Sequence, residues 1–92
     1  MIGWFMSVQI EMPRYECHKK VWALKIKEIR EGAEKLPELV FEEDGYSSMR
    51  VDFDWYFKHK PAAGGYYVVY ADGYKSYSPA EAFEGGYVRI DQ

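Results

Sequence analysis

Cysteine and histidine are scarce in this chain of 92 residues. Cys17 is the only cysteine, so no disulfide can form within the chain, and the sequence gives no sign of an oxidising compartment. The two histidines, His18 and His59, belong to no HxH or HExxH pattern, and no CxxC is present. Neighbouring residues of a strand point to opposite faces, which separates Cys17 from His18 as metal ligands. The sequence therefore predicts no metal site and no cofactor.

Motifs of catalysis and of phosphate binding are missing as well. No Gly-x-Ser-x-Gly elbow surrounds a serine, and the glycines have neither GxGxxG nor Walker spacing. Asp52 and Asp54 have the i, i+2 spacing that places two carboxylates on one strand face, as a glycosidase or metal site requires. A role as helix N-cap explains Asp54 fully, however, and the acidic residues 42–44 suit a solvated turn. We therefore expect no catalytic residues and no enzymatic activity.

Long apolar runs are also absent. Residues 1–6 are apolar, but they lack a basic start and are too short for a signal peptide or a membrane span. We expect residues 1–11 to form an N-terminal extension and residues 12–92 to form a single α+β domain. No membrane association is expected, and the cysteine usage favours a cytoplasmic location.

An excess of positive charge is lacking too, because 12 basic residues face 15 acidic ones and the net charge is −3. Nucleic-acid binding draws most of its affinity from phosphate neutralisation, so the overall acidity argues against a nucleic-acid partner. The basic residues are unevenly spread, since residues 14–35 hold seven of the 12. An acidic chain thus carries a local basic strip.

Aromatic residues are abundant by contrast, at 18% of the chain. Large rings bury much area per residue, which stabilises a small domain without disulfides. The same residues are enriched at binding surfaces, so the sequence leaves both interpretations open. The predicted core consists of Trp22, Leu24, Ile26, Phe41, Val51, Phe53, Val68, Phe83 and Ile90.

Alternation of apolar and polar residues predicts about six strands and two short helices. Residues 20–29 alternate in this way and indicate the first strand, followed by a connection over residues 32–37. Further strands are predicted over residues 39–41, 49–53 and 87–90, with a hairpin over 66–77 and helices over 55–60 and 79–84. The predicted fold class is α+β, a small antiparallel curled sheet with two short helices.

The C-terminal third predicts the hairpin and a capped helix in most detail. The Asp-Gly dipeptide at 72–73 suits a two-residue type I′ turn, which pairs Val68 with Tyr77. Residues 78–81, Ser-Pro-Ala-Glu, have the hydroxyl at N-cap and the carboxylate at N3 that form a capping box. The glycine pair at 85–86 is expected to end the helix.

The hairpin carries tyrosines on both faces, so one face can pack on the core while the other meets solvent. These rings either cover the edge of a small core or form a binding patch. Lys25 and Lys27 share the solvated face of the first strand, and Lys19 extends their row. The lysines form either a docking patch or the charged guard of an edge strand. We take Tyr70, Tyr74, Lys25 and Lys27 as the candidate partner-binding residues.

Two blocks of the chain carry a resemblance to a known family. They are residues 12–26, MPRYECHKKVWALKI, and residues 64–84, GGYYVVYADGYKSYSPAEAFE, closing at Tyr87. With these blocks the chain resembles a family of small proteins of tailed phages and prophages. The resemblance implies phage origin, expression in the cytoplasm of a bacterial host, and no catalytic residues to carry over. Residues 1–11 fall outside the matching pattern.

Small phage proteins of this size often act by binding and disabling a host protein, which is an analogy at the level of class. We therefore expect a non-catalytic accessory protein that binds and inhibits a bacterial host protein, such as a host-defence factor. Two alternatives stay open. One is a protein that sequesters a small ligand or nucleotide, with lysines on phosphates and tyrosines on bases. The other is a homo-oligomeric protein of phage structure or assembly, and a homodimer stays open as well.

Overall fold

The structure of the protein is a computed structural model that describes residues 11–16 and 19–90. Within them it contains a five-stranded antiparallel sheet and two short helices. In chain order the elements are β1 (Trp22–Gly32), β2 (Lys35–Phe41), β3 (Met49–Arg50), α1 (Phe53–His59), β4 (Tyr66–Val69), β5 (Lys75–Ser78) and α2 (Ala80–Gly86). The sheet order is β3-β2-β1-β4-β5, which makes β1 the central strand. The predicted α+β class is confirmed, with five strands in place of six. Residues 1–10 lie outside the described residues, so the expected N-terminal extension stays a prediction.

A β-bulge interrupts the alternation of β1. Ile26 lies opposite Phe41 of β2, and the register then shifts between Ile26 and Glu28, which leaves Lys27 as the additional residue. Because of this shift, Ile29 packs against the same core as Ile26, although three positions separate them. The strict period of two that predicted this strand therefore holds only as far as Ile26.

Two predictions about connections and strand ends are wrong. The expected connection over residues 32–37 belongs mostly to the sheet, because Gly32 pairs with Lys35 across a two-residue turn. The expected last strand over residues 87–90 has no strand pairing. Its Arg89 instead forms a two-pronged ion pair with Glu43, with both nitrogen–oxygen distances at 2.9 Å. A side-chain contact thus links this segment to the chain after β2, where the sequence suggested a backbone ladder.

The β4–β5 hairpin has a three-residue loop in place of the predicted two-residue turn. Val68 pairs with Ser76 rather than with Tyr77. Gly73 adopts the left-handed conformation at φ 92°, and its N–H donates to the Tyr70 carbonyl at 2.8 Å. A type I turn followed by a left-handed glycine has this geometry. The one-residue difference inverts the faces of β5, so that Tyr77 packs against the core.

An N-cap and two aromatic side chains hold α1 in place. Asp52 Oδ1 accepts a hydrogen bond from the Trp55 N–H at 2.7 Å, so the N-cap is Asp52 and not the predicted Asp54. The helix accordingly begins two residues earlier than predicted. Trp55 and Tyr56 pack against the core cluster, and this contact positions α1 on one face of the sheet.

The predicted capping box of α2 does not form. Pro79 occupies the N-cap position without a side-chain hydrogen bond, and the Ser78 hydroxyl donates to the Pro79 carbonyl at 3.4 Å. Ser78 is also the last residue of β5 and pairs with Tyr66, so its backbone belongs to the sheet. The helix continues through Gly86, two residues beyond its predicted end, and none of its residues is buried.

Most of the core lies between the sheet and α1. The buried apolar residues of the described chain are Ile26, Leu39, Phe41, Val51, Tyr67 and Val68. Of the predicted core, Ile26, Phe41, Val51 and Val68 are confirmed, and Leu24 is partly buried against the same cluster. Val68 faces the opposite side of the sheet from its neighbour Tyr67, because side chains alternate along β4.

Four predicted core residues lie elsewhere. Trp22 is 67% exposed because it begins β1, at the end of the sheet. Phe53 is exposed on the outer side of α1, and Ile90 is exposed in the segment that follows α2. Phe83 is partly buried, but it stacks on Tyr66 instead of entering the core.

Candidate partner-binding surface

The hairpin loop brings together the two tyrosines that were predicted as partner contacts. Tyr70 and Tyr74 lie opposite each other, with the Tyr70 N–H donating to the Tyr74 carbonyl at 2.9 Å. Their ring centroids are 5.9 Å apart and the ring planes differ by 23°, which is a stacked arrangement. Asp72 Oδ1 fixes the loop by accepting a hydrogen bond from the Tyr74 N–H at 3.0 Å. The three-residue loop causes this pairing, since a two-residue turn would have placed Lys75 opposite Tyr70.

Two lysine ammonium groups lie over these rings. The Lys19 Nζ is 5.8 Å from the centroid of Tyr70, and the Lys58 Nζ is 5.7 Å from that of Tyr74. Lys58 also donates a hydrogen bond to the Tyr74 hydroxyl at 3.3 Å. Attraction between a cation and a ring at an exposed site contributes about 0.5–1 kcal/mol. We call Lys19, Lys58, Tyr70 and Tyr74 the hairpin surface.

The α1 helix positions Lys58 against the hairpin. The Trp55 Nε1–H donates to the Lys75 carbonyl of β5 at 3.0 Å, which ties the helix to the edge strand. His59 contacts the Tyr74 ring edge-on, with centroids 6.4 Å apart. Helix and hairpin therefore form one surface, in which an α1 side chain lies beside the loop tyrosines.

The charge of the hairpin surface is positive. Neither Lys19 nor Lys58 forms an ion pair with a carboxylate of the described residues. Burial, and then the neighbouring Lys58 ammonium, lower the pKa of His59, which is therefore neutral at neutral pH. The two lysines are thus the cations that a partner would meet here.

A second cluster of similar composition lies where α2 meets the sheet. The Lys25 Nζ is 3.2 Å from Glu84 Oε2, and the Tyr66 hydroxyl donates to the same oxygen at 2.8 Å. The Phe83 ring lies between Tyr66 and Tyr87, at centroid distances of 4.2 Å and 4.5 Å. We call these five residues the α2 cluster. In this cluster a carboxylate of the chain itself neutralises the lysine.

The ionisable groups of the α2 cluster depend on one another. Hydrogen bonds from Tyr66 and Lys25 hold the pKa of Glu84 below its ordinary value. The hydrogen bond to Glu84 raises the pKa of Lys25 in return. Burial, and then the hydrogen bond to Glu84, raise the pKa of Tyr66. At neutral pH each group is therefore in the protonation state that its neighbours favour.

The four predicted contact residues lie in three different settings. Tyr70 and Tyr74 share the hairpin surface. Lys25 belongs to the α2 cluster, and Lys27 is exposed at the β-bulge of β1. The residue that sequence reasoning missed is Lys58, because its position follows from the packing of α1 on the hairpin and no pattern within α1 signals that contact.

Within residues 11–16 and 19–90 no three His, Cys, Asp or Glu side chains could together hold a metal ion. Cys17 and His18 lie outside the described residues. No helix in this part of the chain is long and apolar enough to cross a bilayer. A cavity of about 470 Å³ at the β1–β2 turn is lined by residues 30–35 with Glu38 and Arg50, and its lining contains no aromatic ring.

Comparisons of the chain with protein-family models, with curated proteins and with solved structures find no match. The resemblance to tailed-phage proteins therefore stays an expectation from the sequence.

Proposed function

We propose that this protein is a non-catalytic binding protein whose hairpin surface engages a bacterial host protein. The observation that carries the proposal is a pair of stacked tyrosines under two lysines that no described carboxylate neutralises. Tyrosine is among the residues that dominate interface energetics, because a large ring buries much area at a small cost in conformational entropy. Lysines beside such rings mainly raise the rate of association with an acidic surface.

A protein partner suits this surface better than a small ligand or a nucleic acid. Small-molecule sites are concave and enclose most of the ligand, whereas Tyr74 is 46% exposed at the end of a hairpin. The cavity at the β1–β2 turn has no ring on which a base could stack. The net charge of −3 opposes the phosphate neutralisation on which nucleic-acid affinity depends.

The resemblance to phage proteins supports a host protein as the partner. The resemblance implies expression in the cytoplasm of a bacterial host, where defence proteins are the expected class of target. Inhibition by occupying a target surface requires a stable scaffold and an exposed contact patch, and it requires no catalytic group. Under this proposal the partner presents an acidic surface to Lys19 and Lys58.

Capture from a bacterial lysate tests the proposal. The parent, the double variant Tyr70→Ala/Tyr74→Ala and the control Tyr46→Ala are compared after circular dichroism shows that each is folded. Tyr46 is a suitable control because its ring is 57% exposed and lies outside the hairpin surface. We expect the parent and the control to retain the same host protein and the double variant to lose it. Equal retention by all three would contradict the proposal.

Native mass spectrometry of the protein purified from the host tests the alternatives. A retained nucleotide would support ligand sequestration instead. An assembly of several chains without a host protein would support a role in phage structure. A complex with one host protein agrees with the proposed function.

Lys25 and Lys27 stay predicted contacts. Variants of these two lysines test whether β1 contributes to binding in addition to the hairpin. Lys27 is exposed, so Lys27→Glu should slow association and flatten its salt dependence if β1 contributes to binding. Lys25→Gln removes the ion pair with Glu84 and leaves Glu84 bonded to Tyr66, so the effect of this variant on binding is interpreted only beside its effect on stability.

A further inference from the structure

One side of α1 remains uncovered by the core and the sheet. Its exposed residues are Phe53, Asp54, Phe57 and Lys58. Positions i, i+1, i+4 and i+5 fall on one side of a helix with 3.6 residues per turn. The remaining α1 residues are partly buried on the side of the core. We call the four exposed residues the α1 outer face.

The two phenylalanines of this face form an exposed aromatic pair. Phe53 and Phe57 are 48% and 66% exposed, and their rings lie with centroids 6.0 Å apart and planes within 17° of each other. Tyr56 meets the edge of the Phe57 ring at 5.6 Å, so the pair continues into the rings that pack on the core. An apolar patch with charges at its rim is typical of a protein–protein contact.

Two opposite charges border this aromatic pair. Asp54 and Lys58 each follow one phenylalanine by one residue, so both lie along the same edge of the aromatic stripe, one helical turn apart. Neither forms an ion pair within the described residues, although Lys58 contacts the Tyr74 ring. The face is therefore negative in its first turn and positive in its last turn.

We propose that the α1 outer face is a homodimer interface in which two copies of α1 pack antiparallel. A two-fold axis perpendicular to the helices places Phe53 of each copy against Phe57 of the other, and Asp54 against Lys58. A parallel arrangement would set Asp54 against Asp54, so the charges select the antiparallel one. This interface goes beyond the proposed function, because it concerns a second copy and does not require a host partner. Lys58 is the one residue that the α1 outer face shares with the hairpin surface.

Because the α1 outer face is small, the dimer should be weak. A seven-residue helix is about 10 Å long, and a contact of that length buries less than the roughly 1,200 Å² of a standard stable interface. The dimer should therefore be populated at high protein concentration, and its detection requires a concentration series.

Sedimentation equilibrium of the full chain between about 10 μM and 1 mM measures this association directly. The weight-average mass should rise from 10.8 kDa towards twice that value. Phe57→Ala should remove the concentration dependence, whereas Tyr46→Ala, which changes an exposed ring elsewhere, should leave it intact. A parent that stays monomeric at about 1 mM, or a dimer that Phe57→Ala leaves unchanged, would overturn the proposal.

Charge reversal tests the antiparallel arrangement. Asp54→Lys and Lys58→Asp each place like charges against one another, so each variant alone should associate at least about tenfold more weakly. An equimolar mixture should recover association, because one variant carries two cations along the edge and the other carries two anions. Adding Phe57→Ala to both variants should abolish the recovery, which distinguishes the interface from general attraction between oppositely charged proteins. A mixture that associates no better than the separate variants overturns the arrangement.

The outcomes for the dimer and for the proposed function are separable. A monomeric parent whose partner capture is lost in Phe57→Ala would assign the α1 outer face to the partner and overturn the homodimer. A dimer that Phe57→Ala disrupts supports the homodimer interface. This holds even if Tyr70→Ala/Tyr74→Ala leaves partner capture unchanged, a result that would contradict only the proposed function.

Discussion

The hairpin surface and the α2 cluster contain the same kinds of residue, but only in the α2 cluster does a carboxylate of the described chain pair with the lysine. Each combines lysine with at least one tyrosine of the β4–β5 hairpin and at least one side chain from a seven-residue helix. In the α2 cluster, Glu84 neutralises Lys25 and Phe83 stacks on Tyr66. In the hairpin surface Lys19 and Lys58 lie over the rings, and neither lysine forms an ion pair with a carboxylate of the described residues. The chain itself thus completes the α2 cluster, and under the proposed function a partner completes the hairpin surface.

The largest effect on stability should follow from removing the central ring of the α2 cluster. Phe83→Ala loses two stacked contacts and should lower the free energy of unfolding by about 1–3 kcal/mol, below the cost of a fully buried ring. Urea titration measures the effect, with Tyr46→Ala as an exposed control that should change stability by less than about 0.5 kcal/mol. Equal stability of Phe83→Ala and the parent would show that the α2 cluster does not hold the fold.

A smaller loss of stability is expected from removing a helix cap, and it should differ between α1 and α2. Asp52→Ala removes the N-cap of α1, which carries Lys58, and should cost about 1 kcal/mol of unfolding free energy. Ser78→Ala should cost much less, because the Ser78 hydroxyl caps no N–H of α2. Thermal or urea unfolding of both variants measures the difference. If Ser78→Ala lowered the unfolding free energy as much as Asp52→Ala does, the result would support the capping box that the sequence predicted.

The smallest expected effect is the response of the α2 cluster to pH. The pKa of Glu84 is lowered in the folded protein, so its contribution is complete above its ordinary value of 4.5 and is lost as the pH falls through the lowered one. The pKa of Lys25 is raised, so its contribution is complete below 10.5 and is lost as the pH rises through the raised value. The ring protons of Phe83 should therefore show an acidic inflection in an NMR titration. Glu84→Gln should remove that inflection, and its persistence in this variant would contradict the account.

Local sequence chemistry predicted the α+β class and four of the six buried apolar residues of the described chain, because alternation and turn residues act over a few positions. The prediction from sequence failed where the same residues fit two different local structures. Asp72-Gly73 fits a two-residue turn, and it equally fits a type I turn followed by a left-handed glycine. Asp52 and Asp54 can each cap a helix, and the choice depends on where β3 ends. Register and helix start are therefore settled by the packing of the whole sheet.

The candidate site was predictable only in part for a related reason. Tyr70 and Tyr74 stand out in the sequence as hairpin aromatics, and the structure stacks them. Lys58 approaches Tyr74 through the docking of α1, and Glu84 approaches Lys25 from 59 positions along the chain. Contacts between residues so far apart in the chain depend on tertiary packing, and short-range patterns in this sequence do not predict them.

The affinity for the captured host protein, measured by calorimetric titration on two folded variants, tests the central comparison most directly. Tyr74→Ala changes the hairpin surface, and Tyr66→Ala changes the α2 cluster within the same hairpin. Tyr74→Ala should raise the dissociation constant about 5–30-fold, the equivalent of roughly 1–2 kcal/mol for a hot-spot ring. Tyr66→Ala should leave it within about twofold, since its ring is stacked within the chain. An unchanged dissociation constant for Tyr74→Ala, or a larger increase for Tyr66→Ala, would contradict the assignment of the hairpin surface to binding.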